Sequence, residues 1–363
     1  MSSTWGNFIK LSIFGESHGE AIGVVLDNLP AGEPLDPDYL AMQMARRAPG
    51  RDRSSTPRKE ADQPEIVSGL LDGKTTGAPL CAIIRNTNTR SADYQNLSIL
   101  PRPGHADYTG YVRYGGHNDI RGGGHFSGRL TAPITFAGAV CRQILLRRGV
   151  HIGGHVLCIA GVQDLALDPV NVSNEQLDAL SRIYFPLVNR EQESAMREKI
   201  EEARLSLDSV GGVVECAVTG MPAGIGSPMF GGVENVLASI LYGVPAVKGV
   251  EFGDGFAVAQ LRGSQNNDPY YLDGDEIRTR TNHSGGILGG ITNGMPILLR
   301  AAIKPTSSIA QQQNTVDLKT RQNAKLSVHG RHDPCIVPRA VPVIESAVAI
   351  GLLELLLERG ALA

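Results

Sequence analysis

Short runs of β-branched and apolar residues, bounded by glycine, proline or charge, recur along the chain. They predict strands at residues 8–13, 21–26, 80–84, 213–218, 247–252 and 297–303. Helical spacing of apolar positions takes over elsewhere. Asp36-Pro37 forms an N-cap and first-turn pair for a helix running to Arg47. Residues 131–148 predict a second helix, with Arg147 and Arg148 in its last turn and a stop at Gly149. Residues 191–205 read as a charged, exposed helix, and residues 343–359 as a long apolar one stopped by Gly360. Strands alternating with covering helices place the chain in the α/β or α+β class.

Short words recur in the same order in the two parts of the chain. Gly23-Val24-Val25 leads to Pro30-Ala31-Gly32, and Gly212-Val213-Val214 leads to Pro222-Ala223-Gly224. Thr75-Thr76-Gly77-Ala78-Pro79-Leu80 is answered by Thr292-Asn293-Gly294-Met295-Pro296-Ile297. With no low-complexity linker between them, this predicts one domain over 1–363 built from similar halves, about 1–190 and 205–363.

Composition narrows the function. Lys+Arg 34 against Asp+Glu 37 gives a net charge of −3, which excludes a polycation built to grip nucleic acid. No run approaches the roughly 18 consecutive apolar residues of a membrane helix, and residues 1–6 lack a signal-peptide core, so a cytoplasmic protein is expected. Five scattered cysteines form no C-x-x-C pair and predict neither disulfides nor a metal site. Among the basic residues, 26 are Arg and 8 are Lys. A guanidinium binds carboxylate and phosphate as a planar fork, so this surplus hints at an oxyanion ligand.

Glycine-hinged loops carry the candidate chemistry. Gly15-Glu16-Ser17-His18-Gly19 and Arg102-Pro103-Gly104-His105-Ala106-Asp107 each expose an imidazole on a turn, although a solvated turn histidine would look the same. Asp107 is placed to orient His105. Arg121-Gly122-Gly123-Gly124-His125-Phe126-Ser127-Gly128-Arg129 runs into a helix and reads as an anion nest. Arg46, Arg47, Arg51 and Arg53 crowd a helix end, where part of their charge simply offsets the helix dipole. Lys304-Pro305-Thr306-Ser307-Ser308 supplies an ammonium and three hydroxyls, and Arg331-His332-Asp333 a guanidinium, an imidazole and a carboxylate. Together they describe an enzyme that moves protons on a phosphorylated, carboxylated small molecule.

These motifs, with Val247-Lys248-Gly249-Val250-Glu251, Leu261-Arg262-Gly263-Ser264-Gln265-Asn266, Asn282-His283-Ser284-Gly285-Gly286-Ile287-Leu288-Gly289-Gly290 and Gly330-Arg331-His332-Asp333-Pro334-Cys335, resemble the chorismate synthase family over nearly the whole chain. The resemblance implies a β-α-β sandwich of the α+β class, a homotetramer, and the last step of the shikimate pathway. That step is an anti-1,4-elimination of phosphate and a ring proton from 5-enolpyruvylshikimate 3-phosphate, made by a carbon–oxygen lyase that requires reduced FMN. Some members reduce the flavin with NADPH, and no Rossmann fingerprint here settles the matter. By the same resemblance His18 serves the departing phosphate, His105 the flavin, and Asp333 the ring-proton relay. FMN is expected against His125, Phe126, Ser127, Pro245, Ala246, Gly289, Lys304, Pro305, Thr306, Ser307, Ser308 and Arg331. Substrate or NADP is expected on Arg47, Arg53 and Arg129, with Arg121 a further candidate.

Three positions depart from the family pattern. His125-Phe126 stands where the family commonly has Arg-Ser, with Ser127 and Arg129 retained, Pro245 replaces an Asn, and Ala48 replaces an Arg. A flavin-free phosphate lyase or transferase, and an anion-binding scaffold without turnover, are the rival readings. FMN binding excludes the first, and turnover excludes the second.

Overall fold

Two five-stranded antiparallel sheets enclose a layer of helices in a computed structural model that describes residues 3–50, 62–87, 97–328 and 332–360. The first sheet holds β1 (Thr4–Trp5), β2 (Lys10–Gly15), β3 (Ala21–Asp27), β4 (Pro64–Ser68) and β5 (Leu80–Arg85) in the order β1-β2-β3-β5-β4. The second holds β6 (His151–Ile159), β7 (Val162–Gln163), β8 (Gly212–Thr219), β9 (Val247–Phe252) and β10 (Ile297–Ile303) in the order β9-β10-β8-β6-β7. The longer helices are α1 (Pro37–Arg47), α2 (Asp107–Tyr114), α3 (Thr131–Leu146), α4 (Glu193–Leu205), α5 (Val233–Tyr242) and α6 (Val337–Glu358), with short ones at Asn174–Leu180 and Gly263–Asn266. α3 packs on the first sheet, α6 on the second, and the two pack on each other.

The order β2-β3-β5-β4 in one sheet is repeated as β6-β8-β10-β9 in the other, so the repeat changes over between α3 and β6, near residue 150 rather than between 190 and 205. Helices α1 and α3 of the first half correspond in chain order to α5 and α6 of the second. The sequence echo has a physical basis in one repeated cluster of hydrogen bonds. Thr75 Oγ1 donates to the Pro30 carbonyl at 2.6 Å and accepts from Glu33 N at 2.9 Å. Thr292 Oγ1 donates to the Pro222 carbonyl at 2.6 Å and accepts from Ile225 N at 2.9 Å. Each threonine carbonyl also accepts from the glycine of its Pro-Ala-Gly turn, Gly32 or Gly224. Both side chains are buried, where a hydroxyl must find its partners within the protein.

The helix ends follow the predicted signals. Asp36 caps α1 by accepting from Asp38 N and Tyr39 N, and Gly149 follows α3 in the left-handed conformation. α6 differs, beginning at Val337 rather than 343. Pro338 sits in its first turn, where no N–H is needed, and Pro342 is accommodated within the helix. By length and composition α6 is apolar enough to cross a membrane, yet it is buried as the central core helix. Its two buried acids are matched. Glu345 receives Arg46, Arg142 and the Gly154 amide, and Glu354 receives the amides of Asn7, Phe8 and Ile9. Such pairing is required of carboxylates removed from water.

Candidate active site

A cavity of about 840 Å³ opens where the N-terminal ends of α3 and α6 approach the loops that follow β5 and β10. Its size falls within the roughly 300–1,000 Å³ typical of small-molecule sites. Among the described residues lining it are six cations, Arg47, Arg102, Arg129, Lys248, Lys304 and Arg339, and one carboxylate, Asp333. Asp62, Asp107 and Asp333 pair with four of the arginines, so three formal positive charges remain for a ligand. A site of this charge favours a multiply anionic ligand.

His105 is held tightly. Its Nδ1 lies 2.6 Å from Asp107 Oδ1, and Arg102 binds the same carboxylate through Nε at 2.7 Å and Nη2 at 2.8 Å. Burial disfavours the charge on Asp107, but its hydrogen bonds to Arg102 and His105 outweigh burial and hold the carboxyl far below the usual range. An ionised Asp107 accepts a hydrogen bond from His105 Nδ1–H, which leaves Nε2 as the working nitrogen. Arg102 Nη1 also donates to Ser308 Oγ at 3.0 Å, tying this loop to the strand end that follows β10.

The glycine run between Arg121 and His125 does more than offer amides. Gly122, Gly123 and Gly124 all have positive φ. A Cβ on Gly122 would lie 2.0 Å from His18 Nδ1, and one on Gly123 would lie 3.2 Å from the His105 ring. Glycine is therefore required sterically at Gly122, so that the chain can pass against the imidazole. Gly122 lines the cavity, and His18, buried, sits behind it rather than in the lining itself. His125 is fixed by its own bonds, with Nδ1 at 2.7 Å from the Gly15 carbonyl and Nε2 at 2.6 Å from Ser3 Oγ. The carbonyl can only accept, so Nδ1 carries a hydrogen, and in the neutral ring Nε2 accepts from the serine.

Arg47 and Arg129 meet through a residue that carries no motif. Asp62, buried, accepts from Arg47 Nη1 at 2.7 Å through one oxygen and from Arg129 Nη1 through the other. Arg47 also donates to Thr131 Oγ1 and the Gly128 carbonyl, and Arg129 to Asn86 Oδ1. Burial pulls Arg47 down to about 10 against the upward pull of Asp62. Burial opposes ionisation of Asp62, and the two guanidiniums overcome it and hold its carboxyl low.

The flavin-binding expectation divides. His125, Phe126, Ser127, Pro245, Ala246 and the run from Lys304 to Ser308 all line the cavity. The Thr306 hydroxyl is buried there with no hydrogen-bond partner among the described residues, so a ligand with hydrogen-bonding atoms fits this wall. Ala246 holds φ 77, a strained conformation for a residue with a side chain, and its carbonyl accepts from Lys304 N. Gly289 is different. It lies in the turn between the paired strands Ile287–Leu288 and Ile291–Thr292 and is not in the cavity wall. Arg121 also turns elsewhere, bound to Asp119 at 2.8 Å and half exposed. Arg53 and Arg331 lie outside the described residues. Trp5 and Arg339 line the cavity without any signal that isolated them in the sequence, and Lys248, part of a quoted motif, lines it although no role was expected of it.

Comparison with known proteins agrees with this geometry. A family model described as chorismate synthase matches residues 9–357. The chain belongs to the chorismate synthase family. A chorismate synthase of Dehalococcoides mccartyi is 45% identical over 361 residues, covering 99% of this chain and 98% of that protein. One from Thermococcus kodakarensis is 45% identical over 356 residues, covering 98% of each. A solved structure titled "Crystal Structure of Chorismate Synthase" superposes with a TM-score of 0.74 at 29% identity, covering 98% of this chain and 93% of the other. The β-α-β sandwich and the enzymatic identity of the fold are thereby established together.

Proposed function

We propose that this enzyme is a phosphate-eliminating carbon–oxygen lyase. It converts 5-enolpyruvylshikimate 3-phosphate to chorismate by 1,4-elimination, with reduced FMN in the same cavity. The observation that carries this reading is the cation-lined hollow in which His105 and Asp333 both take part. When bound, reduced FMN supplies transient electron density to the allylic system and recovers it. The chain's own residues do the rest. Arg47 and Arg129 hold the anionic groups, at positions pinned by Asp62. The Lys304–Ser308 run and the Ala246 turn hold the flavin, with the Thr306 hydroxyl free to bond it.

Proton handling falls to three groups. His18, one glycine behind the wall, supplies positive charge or a proton as the phosphate leaves. Imidazole is the side chain suited to giving up a proton in general acid catalysis near neutral pH. His105 presents Nε2 with Nδ1 fixed on Asp107. Asp333, held by Arg339 at 2.6 Å, is the carboxylate that passes on the ring proton. A homotetramer in the cytoplasm, with NADPH as the source of electrons for FMN, belongs to the same reading.

The test is an anaerobic assay. With photoreduced FMN and substrate, the protein is expected to release phosphate and chorismate in equal amounts, and neither without the flavin. Phosphate release that is independent of flavin would favour the flavin-free lyase instead. NADPH supplied as the only reductant decides whether the chain reduces its own flavin.

A further inference from the structure

Arg339 joins two parts of the site that come from opposite halves of the chain. It lies in the first turn of α6 and lines the cavity. Its Nη1 donates to Asp333 Oδ2 at 2.6 Å, and its Nε donates at 2.9 Å to the carbonyl of Arg47, the last residue of α1. Both side chains of the Arg339–Asp333 pair are nearly removed from water, at 13% and 12% exposure. A charge-assisted bond of that length between shielded groups fixes direction as well as charge.

We infer that Arg339 is a positioning residue for the reaction: it aims the Asp333 carboxylate into the cavity and sets its distance from the Arg47 end of the site. The inference rests on the assignment of Asp333 to the proton relay. A guanidinium has donors for both contacts at once, in a rigid plane. One donor holds the acid and another holds the backbone that carries Arg47, so the acid cannot swing without breaking from α1. Lysine at this position would keep the charge but offers a single nitrogen on a flexible stem, which cannot hold the same plane. A carboxylate aimed by a fixed partner reaches its proton in one geometry, and proton transfer is steeply sensitive to that geometry.

The test compares Arg339→Met, Arg339→Lys, Asp333→Asn and the double variant Arg339→Met/Asp333→Asn, in the full chain under anaerobic turnover with reduced FMN. Arg339→Met is expected to lower kcat about tenfold or more with KM changed by less than about threefold, and Arg339→Lys to recover part of the loss. Oxidised FMN affinity, read from quenching of Trp5 (the chain's one tryptophan, in the cavity wall), is expected to stay near that of the unaltered protein. The double variant is expected to be no slower than Asp333→Asn alone, because the arginine acts through the acid. A rise in KM at constant kcat would overturn the inference and make Arg339 a substrate contact. A full additional loss in the double variant would overturn it too. If the unaltered protein releases no phosphate at all, the assignment of Asp333 fails, and this inference falls with it.

Discussion

His18 and His105 lie against consecutive glycines, Gly122 and Gly123. The glycine run thus acts as a spacer between two imidazoles drawn from separate loops of the first half. Gly122→Ala would drive a methyl group to 2.0 Å from His18 and require a side chain at φ +61. Displacing a reacting group by about 1 Å can cost on the order of 100-fold in rate. Gly122→Ala is therefore expected to lose most of kcat while Gly123→Ala, at 3.2 Å from the His105 ring, loses less. Steady-state kinetics of the two variants check this, and equal, near-normal rates would show that His18 is a bystander.

Asp62 is the counter-ion shared by Arg47 and Arg129. Asp62→Asn leaves two buried guanidiniums facing each other across an amide. Removing one member of a buried ionic cluster costs about 3–5 kcal/mol, so urea unfolding should register a loss of that order, with weaker substrate binding beside it. The pH dependence follows from the depressed carboxyl. Its stabilisation is complete above the unfolded Asp value of about 4 and is lost as pH falls through the lower folded value. An unchanged unfolding midpoint in Asp62→Asn would contradict the bridge.

His155 predicts the opposite trend at the other end of the scale. Its Nδ1 lies 3.0 Å from Asp164 Oδ2 and its Nε2 lies 3.0 Å from Glu215 Oε2, with the ring fully buried. Both ring nitrogens face carboxylates, so only the imidazolium satisfies both. Burial pulls its pKa down, and the two carboxylates more than reverse this. The resulting stabilisation is complete below the unfolded value of about 6.5 and is lost as pH rises through the higher folded value. Melting temperature measured from about pH 6 to pH 10 should fall more steeply for the unaltered protein than for His155→Gln. Parallel curves would remove His155 from the account.

His105→Ala and Asp333→Asn separate chemistry from binding. General acid–base groups contribute about 100- to 10,000-fold, so each variant should lose at least the lower figure in kcat and retain KM within a few-fold. Anaerobic kinetics with reduced FMN give both numbers. Near-normal turnover in both would sink the proton relay.

Much of this architecture could be read from residue patterns, and the gaps have physical causes. Strands β3, β5, β8, β9 and β10 announce themselves because β-branched runs meet clear turn residues. β6 does not, because Gly153-Gly154-His155 interrupts its apolar pattern and looks like a turn. In the fold, Gly153 has no room for a side chain, since a Cβ would lie 2.6 Å from the Leu177 carbonyl of a packed helix. The site was legible where short motifs hold several chemical groups together, as around His105 and Lys304–Ser308. It was not legible at Asp62 or Arg339. Asp62 pairs with arginines 15 and 67 residues away, and Arg339 pairs with Asp333 six residues before it across the start of α6 and with the distant Arg47 carbonyl, so no motif spacing marks either. Gly289 shows the converse, a motif residue with a local turn to make and no place in the cavity wall.

A structure of the protein with FMN and an unreactive substrate analogue tests the central claim most directly. The account predicts both molecules in the hollow bounded by His105, Thr306, Arg129 and Asp333. Density for either one outside that hollow would contradict it.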